Sequence, residues 1–539
     1  MKRFTFLAVL AVASVVGGLP LMAHEEGAQK VMGTVSSIGS RSRRLHVKDT
    51  EGRTIVILLN EKTVFLRGAH PVTRKDIAVG LRVVVLFDEE AGVRTAVEVR
   101  LPEASPSMAH EHGTSRDESR PRKEMHHMHG MHPGDEGEAA PATLLELAAT
   151  REASGTSWQP ETTPHAAFHA MASGWTLMLH GNLFAGYDDQ GGARGGREFA
   201  GVGWLMGMAR HEIGNGELVA RVMLSPEPIV LRSSGYPLLL QTGESVHGQP
   251  LHDRQHPHDL FMEIAALFRT PLGESLALEL YLAPSGEPAL GPTAFPHRAS
   301  AESDPLAPLG HHWQDSTHIS YGVMTAGLLT RRIKLEGSVF NGREPDEVRT
   351  NLDLRRLDSA SGRLSWAPLP EASVQFSYGF LKSPEELEPG TSIHRLTASA
   401  AWALAIREKG RLAAIAVFGR NDPSTGPSTS SGLLEADVDL DGRNTVFGRT
   451  ELVQKMGRDL VLSPERAERV YDIASFVLGY IHDFDLGPAR FGLGGRASIA
   501  VISEDLSSSY GSRFPVGGML FLRIKPPTMA SEGMAGHRH

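Results

Sequence analysis

Two short stretches in the middle of the chain carry the residues best suited to chemistry: Leu251-His252-Asp253-Arg254-Gln255-His256-Pro257-His258-Asp259 and His311-His312-Trp313-Gln314-Asp315-Ser316-Thr317-His318. His256 and His258 sit two apart, which puts both on one side of an extended chain. His311, His312, Asp315 and His318 can close on them from the second loop. Imidazole and carboxylate bind borderline transition metals, and in a chain with no cysteine imidazole is the strong donor available. Neither a zinc-finger nor a His-Glu-x-x-His spacing accompanies them, so the same residues also read as hydrogen-bonding groups that pin long loops to a scaffold. Ser316 and His318 are close enough to raise a hydrolase, but no nucleophile elbow frames the serine, and the expectation is that the protein is not an enzyme.

A second donor-rich tract lies upstream. It holds Met108-Ala109-His110-Glu111-His112 and then Met125, His126, His127, Met128, His129, Met131 and His132, interrupted only by Gly130. Thioether sulfur is soft and prefers the cuprous ion, while imidazole takes the cupric one, so copper is the expected ion. No fold is needed for this, because a flexible chain can wrap its ligands around the ion. The sequence requires no other cofactor.

The surroundings of these donors set where they work. Residues 1–23 read as a signal peptide: Lys2 and Arg3, an apolar run too short to span a bilayer, then Ala23 before a charged stretch. Export agrees with the absence of cysteine, which also removes disulfides and thiolate sites. A formal charge of -9 argues against nucleic acid as a partner. Residues 24–103 form short β-branched runs such as Thr54-Ile55-Val56-Ile57-Leu58, enough for a small β-barrel or sandwich similar to oligonucleotide-binding folds. Its last strand, 95–101, is expected to turn Val97, Val99 and Leu101 to one face. Residues 104–173, rich in Pro, Ser, Gly, Glu and His, are expected to be a largely disordered linker with a brief helix at 143–151.

From residue 174 to 526 the pattern changes to alternation. In Trp175-Thr176-Leu177-Met178-Leu179-His180-Gly181-Asn182-Leu183-Phe184-Ala185-Gly186-Tyr187, apolar side chains fall on one face and His180 and Asn182 on the other. Twelve steps of about 3.3 Å, tilted by about 45°, separate Trp175 from Tyr187 by roughly 28 Å along a membrane normal, the spacing of two aromatic girdles. Tight turns at 213–216, 271–274, 330–332, 368–371, 408–410, 440–442 and 486–488 alternate with longer loops at 188–197, 225–258, 285–315, 343–352, 382–392, 421–431, 456–471 and 503–514. The expected fold is all-β, a transmembrane antiparallel barrel of about 16 strands, with short turns on the periplasmic side. A soluble β-sandwich competes with it, since Arg395, Arg449 and Arg523 lie within strands. In the barrel, Arg449 and Glu451 are expected to face a watery lumen. Phe521 stands upstream of a polar tail, 527–539, rather than at the terminus where barrel assembly reads an aromatic residue.

Several motifs in this region, among them Ser157-Trp158-Gln159-Pro160, Ser234-Gly235-Tyr236-Pro237, Asp253-Arg254-Gln255-His256-Pro257-His258-Asp259, His311-His312-Trp313-Gln314-Asp315 and Leu381-Lys382-Ser383-Pro384-Glu385, resemble a family of outer-membrane β-barrel proteins of Gram-negative bacteria whose members accompany copper and heavy-metal resistance genes. The small N-terminal β-domain is not part of that pattern, so the chain looks like a fusion. The resemblance implies an outer-membrane channel or binding protein that handles metal ions, copper foremost. The alternatives are a barrel that only displays or anchors its metal-binding parts, or a hydrolase. Expected partners are outer-membrane lipid, metal ions, periplasmic metal-resistance proteins and the barrel-assembly machinery.

Overall fold

The computed structural model describes residues 29–38, 44–49, 53–60, 62–67, 70–90, 93–101, 143–406 and 409–527. The signal peptide, the Met/His tract and residues 528–539 of the polar tail lie outside the described residues. The chain divides into two units, residues 1–133 and 134–539.

In the first unit, strands Thr54–Leu58, Arg44–Asp49, Gln29–Ile38, Arg82–Glu90 and Val93–Leu101 are neighbours in that order, and the Leu58 to Thr95 pairing closes them into a small barrel. Leu45, Val47, Ile57, Val85 and Val99 form its centre. Val97 departs from the expected alternation. The register slips between Leu86 and Phe87, which pair with Glu98 and Ala96, so Val97 is the extra residue of a bulge and is exposed while Ala96 and Val99 both point inward.

The second unit is a closed barrel of 16 antiparallel strands, from Trp175–Gln190 to Val516–Lys525, whose last strand returns to the first with Gly517 opposite Gln190 and Ile524 opposite Leu183. A short strand, Phe168–Ala172, continues the pairing along the first strand where the last has ended. Six of the seven tight turns fall where the sequence places them, for example between Gly196–Ile213 and Gly216–Leu224 and between Val470–Leu486 and Ala489–Val501, and the turn at 408–410 lies partly outside the described residues. Closure leaves no strand edge, which a sandwich would have.

Alternation decides which side each residue takes. Leu177, Leu179, Tyr187, Phe199, Leu282, Leu335, Phe376, Leu478 and Leu520 are exposed on the outside, a continuous apolar belt that water would penalise and lipid does not. Arg395, Arg449 and Arg523 point inward and are buried, which removes the sandwich reading. Phe521 also faces inward, its ring 5.6 Å from that of Phe184. No described helix is long and apolar enough to cross a membrane.

The lumen is filled from both ends. Residues 143–172, expected within the disordered linker, are ordered. Helix Leu144–Thr150 is capped by Thr143, whose side chain accepts from Glu146 N, and the chain then enters the short-turn end of the barrel. There Glu152 meets Arg221 and Arg269, the latter at 2.7 Å, while Trp158 packs under Arg151 and Lys334. The composition suggests disorder only when the segment is considered alone; the inward-facing charges of the barrel wall supply partners for its polar groups.

The long loops fill the other end. Arg449 and Glu451, expected to face water, instead grip loop backbone: Glu451 accepts from Leu309 N and Gly310 N and Arg449 donates to Leu306 O, while elsewhere on the wall Arg395 and Asn421 donate to His312 O and Ser377 accepts from Gly291 N. The 225–258 loop is itself structured, as a hairpin of Tyr236–Val246 and Gln249–Gln255.

Candidate metal centre

The two histidine stretches meet inside the barrel. Pro257 keeps the chain extended between His256 and His258. Helix His311–Gln314 and the following turn Ser316–His318 present the rings of His311, His312 and His318. Neighbouring ring centroids run around a closed circuit: His258 to His318 5.2 Å, His318 to His311 5.1 Å, His311 to His312 5.3 Å, His312 to His256 5.9 Å and His256 to His258 6.3 Å. Two imidazoles bound through Nε2 to one ion, at about 2.0–2.1 Å on tetrahedral directions, have centroids about 5 Å apart. The neighbouring pairs His258–His318, His318–His311 and His311–His312 match that spacing one pair at a time and His256 stands at the wider side, while among the described residues the set of three donors whose ligand atoms all lie within 4.8 Å of one another is His312, Glu344 and Glu385. Phe295 packs against His258, His311 and His318.

Each ring has an acceptor at Nδ1. His258 Nδ1 lies 3.0 Å from Glu227 Oε2, His311 Nδ1 2.8 Å from Asp315 Oδ1, His312 Nδ1 3.2 Å from Glu344 Oε1, and His318 Nδ1 2.8 Å from Asp315 O. His256 Nδ1 is 3.2 Å from both Glu244 Oε1 and Pro257 O. Such acceptors hold the proton on Nδ1 and leave the Nε2 lone pair free, the usual support of a metal-ligating imidazole. Nε2 of His256, His258, His312 and His318 is buried and has no hydrogen-bond partner. An unpartnered buried polar atom costs about 1–3 kcal/mol, so four cost about 4–12 kcal/mol, comparable to the net stability of an ordinary domain. Imidazole and carboxylate donors of this kind suit a borderline transition metal.

The electrostatics agree. Burial pushes the His256 and His318 rings well below the ordinary imidazole range, and pushes His311 down to about 4 although Asp315 works against it. All three are therefore neutral at pH 7, the form that ligates. Asp315, expected as a ligand, takes another part. Both its oxygens are engaged, one by His311 and the other by Phe295 N at 2.9 Å and by Arg298, so it orients the His311 ring. Burial raises its carboxyl, but Arg298 and His311 outweigh that and hold it low.

His312 also opens toward a second group. One ligand atom each from His312, Glu344 and Glu385 lie within 4.8 Å of one another. Beyond them is a cleft lined by Glu244, Glu344, Asp346, Glu347, Glu385 and Glu386 together with Arg343 and Arg355, so that acidic groups outnumber basic ones. The charge of Glu344, then burial, push the Glu385 carboxyl well above its ordinary range.

Reading the sequence finds the imidazoles but misses Glu227 and Glu344, which are 31 residues from His258 and 32 from His312 and carry no local signal. Glu385 stands at the end of the motif Leu381-Lys382-Ser383-Pro384-Glu385 and could have been found there. The hydrolase arrangement does not assemble: the Ser316 hydroxyl is 2.9 Å from Arg395 Nη1, and the His318 Nδ1 bond goes to backbone. His126, His127, Met128, His129, Met131, His132 and Met125 lie outside the described residues.

No family model and no curated protein matches the sequence. Among solved structures, the anion-selective porin of Comamonas acidovorans is similar at 13% identity and a TM-score of 0.41, over 65% of this chain and 99% of that one. OmpF of Salmonella typhi, in complex with daunomycin, is similar at 10% identity and a TM-score of 0.43, over 66% of this chain and 100% of that one. A copper(II)-bound variant of CusF from Escherichia coli is similar at 13% identity and a TM-score of 0.12, over 15% of this chain and 98% of that one.

Proposed function

We infer that this is an outer-membrane β-barrel that takes a transition-metal cation, copper foremost, from the loop side and holds it inside the barrel on His258, His318, His311 and His312, with His256 beside them. The observation that carries this reading is the pairing of a satisfied Nδ1 with a buried, unpartnered Nε2 on His256, His258, His312 and His318. A merely structural histidine spends both nitrogens on hydrogen bonds; these keep one in reserve. The acidic cleft next to His312 concentrates cations at the entrance. The Met/His tract is a second collector, from which metal passes to or from periplasmic resistance proteins.

Metal content of the detergent-purified full chain tests this. Changing His256, His258, His311 and His312 to Ala removes the lumen-bound ion, and deleting residues 108–132 lowers the load separately. Equal copper in all three proteins refutes both assignments. Single-channel conductance then separates a channel from a holding protein: a conducting barrel makes the centre a station on a path, and a sealed one makes it an endpoint.

A further inference from the structure

Two residues beyond Phe295 the same loop carries His297, whose ring contacts are with His180 and Trp204. Its Nε2 lies 3.1 Å from the Sδ of Met223, rather than against a carbonyl or carboxylate. Met223 points into the lumen from strand Gly216–Leu224 and is buried. Directly opposite it on the neighbouring strand is Met206, also buried, and directly opposite Met206 on the next strand is His180. Directly opposed partners hold their Cβ atoms about 4.5–5.5 Å apart, so one inward row, His180, Met206, Met223, presents imidazole, thioether and thioether across three strands. His180 Nε2 is buried without a hydrogen-bond partner.

The Trp204 ring encloses the group, with its centroid 4.2 Å from that of His297 and 5.0 Å from that of His180, and its Nε1 donates to Pro296 O at 3.0 Å, pinning the loop that carries His297. Sulfur against aromatic rings is ordinary packing, and packing alone accounts for Met206. It does not account for an imidazole nitrogen turned to a sulfur and a second left with nothing.

We propose that His180, Met206, Met223 and His297 form a second metal site, selective for a soft monovalent ion, Cu(I), with Ag(I) as its analogue. Two thioethers and two neutral imidazoles carry no charge. Such a set cannot neutralise a divalent ion in a low-dielectric lumen, whereas a monovalent ion costs far less to desolvate and bonds well to sulfur. The harder centre, built on imidazoles backed by carboxylates, packs against Phe295. The soft site stands whether or not that centre is occupied.

The test uses the detergent-purified full chain, titrated anaerobically with Cu(I) against a chromophoric Cu(I) chelator. The comparison proteins are Met206→Leu/Met223→Leu, which nearly conserves volume, and His297→Gln on the opposing loop. Each keeps the Met/His tract, so the tract contributes equally to all three. The expected result is one equivalent of tightly held Cu(I) fewer in both variants, with heat-modifiable gel mobility and the divalent load unchanged. Wild-type Cu(I) stoichiometry in both folded variants overturns the proposal. Failure of the five-imidazole reading shows instead as a divalent load that is unchanged when His256, His258, His311 and His312 are changed to Ala.

Discussion

Gly243 lies under the His312 ring, in a left-handed conformation at φ 113°, where a Cβ would overlap the imidazole. Glycine is thus required twice at this position, for backbone and for space. Gly243→Ala is expected to displace His312 from the circuit and open its contact with Glu344 while leaving the barrel closed. Metal affinity should fall by about 10-fold or more with heat-modifiable mobility intact. Unchanged affinity would show that His312 is not a ligand.

Asp315 supports two of the rings, through its carboxylate to His311 and its backbone carbonyl to His318. Asp315→Asn keeps the shape and removes the charge that holds the His311 proton on Nδ1. A loss of about 10- to 100-fold in divalent-metal affinity is expected, by equilibrium dialysis, with Cu(I) binding at Met223 untouched. Asp315→Glu should recover little, because Phe295 N and Arg298 fix the carboxylate position.

The barrel was legible because alternation is local: each strand writes its lipid face and lumen face into its own residues, as Leu177, Leu179 and Tyr187 against His180 and Asn182 show. The turns were legible for the same reason. What fills the lumen was not, since Glu152 has no meaning until Arg221 and Arg269 face it across the barrel. The histidine cluster stood out by composition, yet its acceptors Glu227 and Glu344 become visible only when distant loops meet. Val97 was misplaced because a bulge depends on the partner strand, which the strand's own residues do not encode.

Glu287 begins the loop that carries His311, and burial pushes its carboxyl up to about 7 although Arg363 works against it. A carboxyl raised in the folded state contributes stability fully present below its unfolded value of about 4.5 and lost as pH rises through 7. Glu287→Gln keeps the neutral form at every pH. The variant should therefore match the wild type near pH 5 and exceed it at pH 8 by about 1–3 kcal/mol, measured by urea unfolding in detergent. The opposite order, with the variant weaker at pH 8, would mean that the Arg363 ion pair outweighs burial.

The segment from Thr143 to Thr163 is held at the short-turn end by buried ion pairs centred on Glu152, which meets Arg221, Arg269 and, at 3.3 Å, Arg210. Glu152→Gln leaves those guanidiniums with fewer partners; Arg269 retains Glu217 and Glu279, and Arg221 retains Glu263 at 3.5 Å. Breaking a buried pair costs about 3–5 kcal/mol where the other charge is stranded, and the remaining carboxylates put this case near 3. That loosens the segment at its ion pairs, while Arg221 to Gly155 O, Lys334 to Thr156 O and Thr162 to Ala403 O still tie it to the wall of the 16-strand barrel. Single-channel recordings should therefore show a larger or more frequent open state for Glu152→Gln than for the wild type. Protease cutting between residues 143 and 163 should rise in parallel. If the variant stays as silent as the wild type although the segment has become cleavable, the loops gripped by Glu451 and Arg395 are the seal.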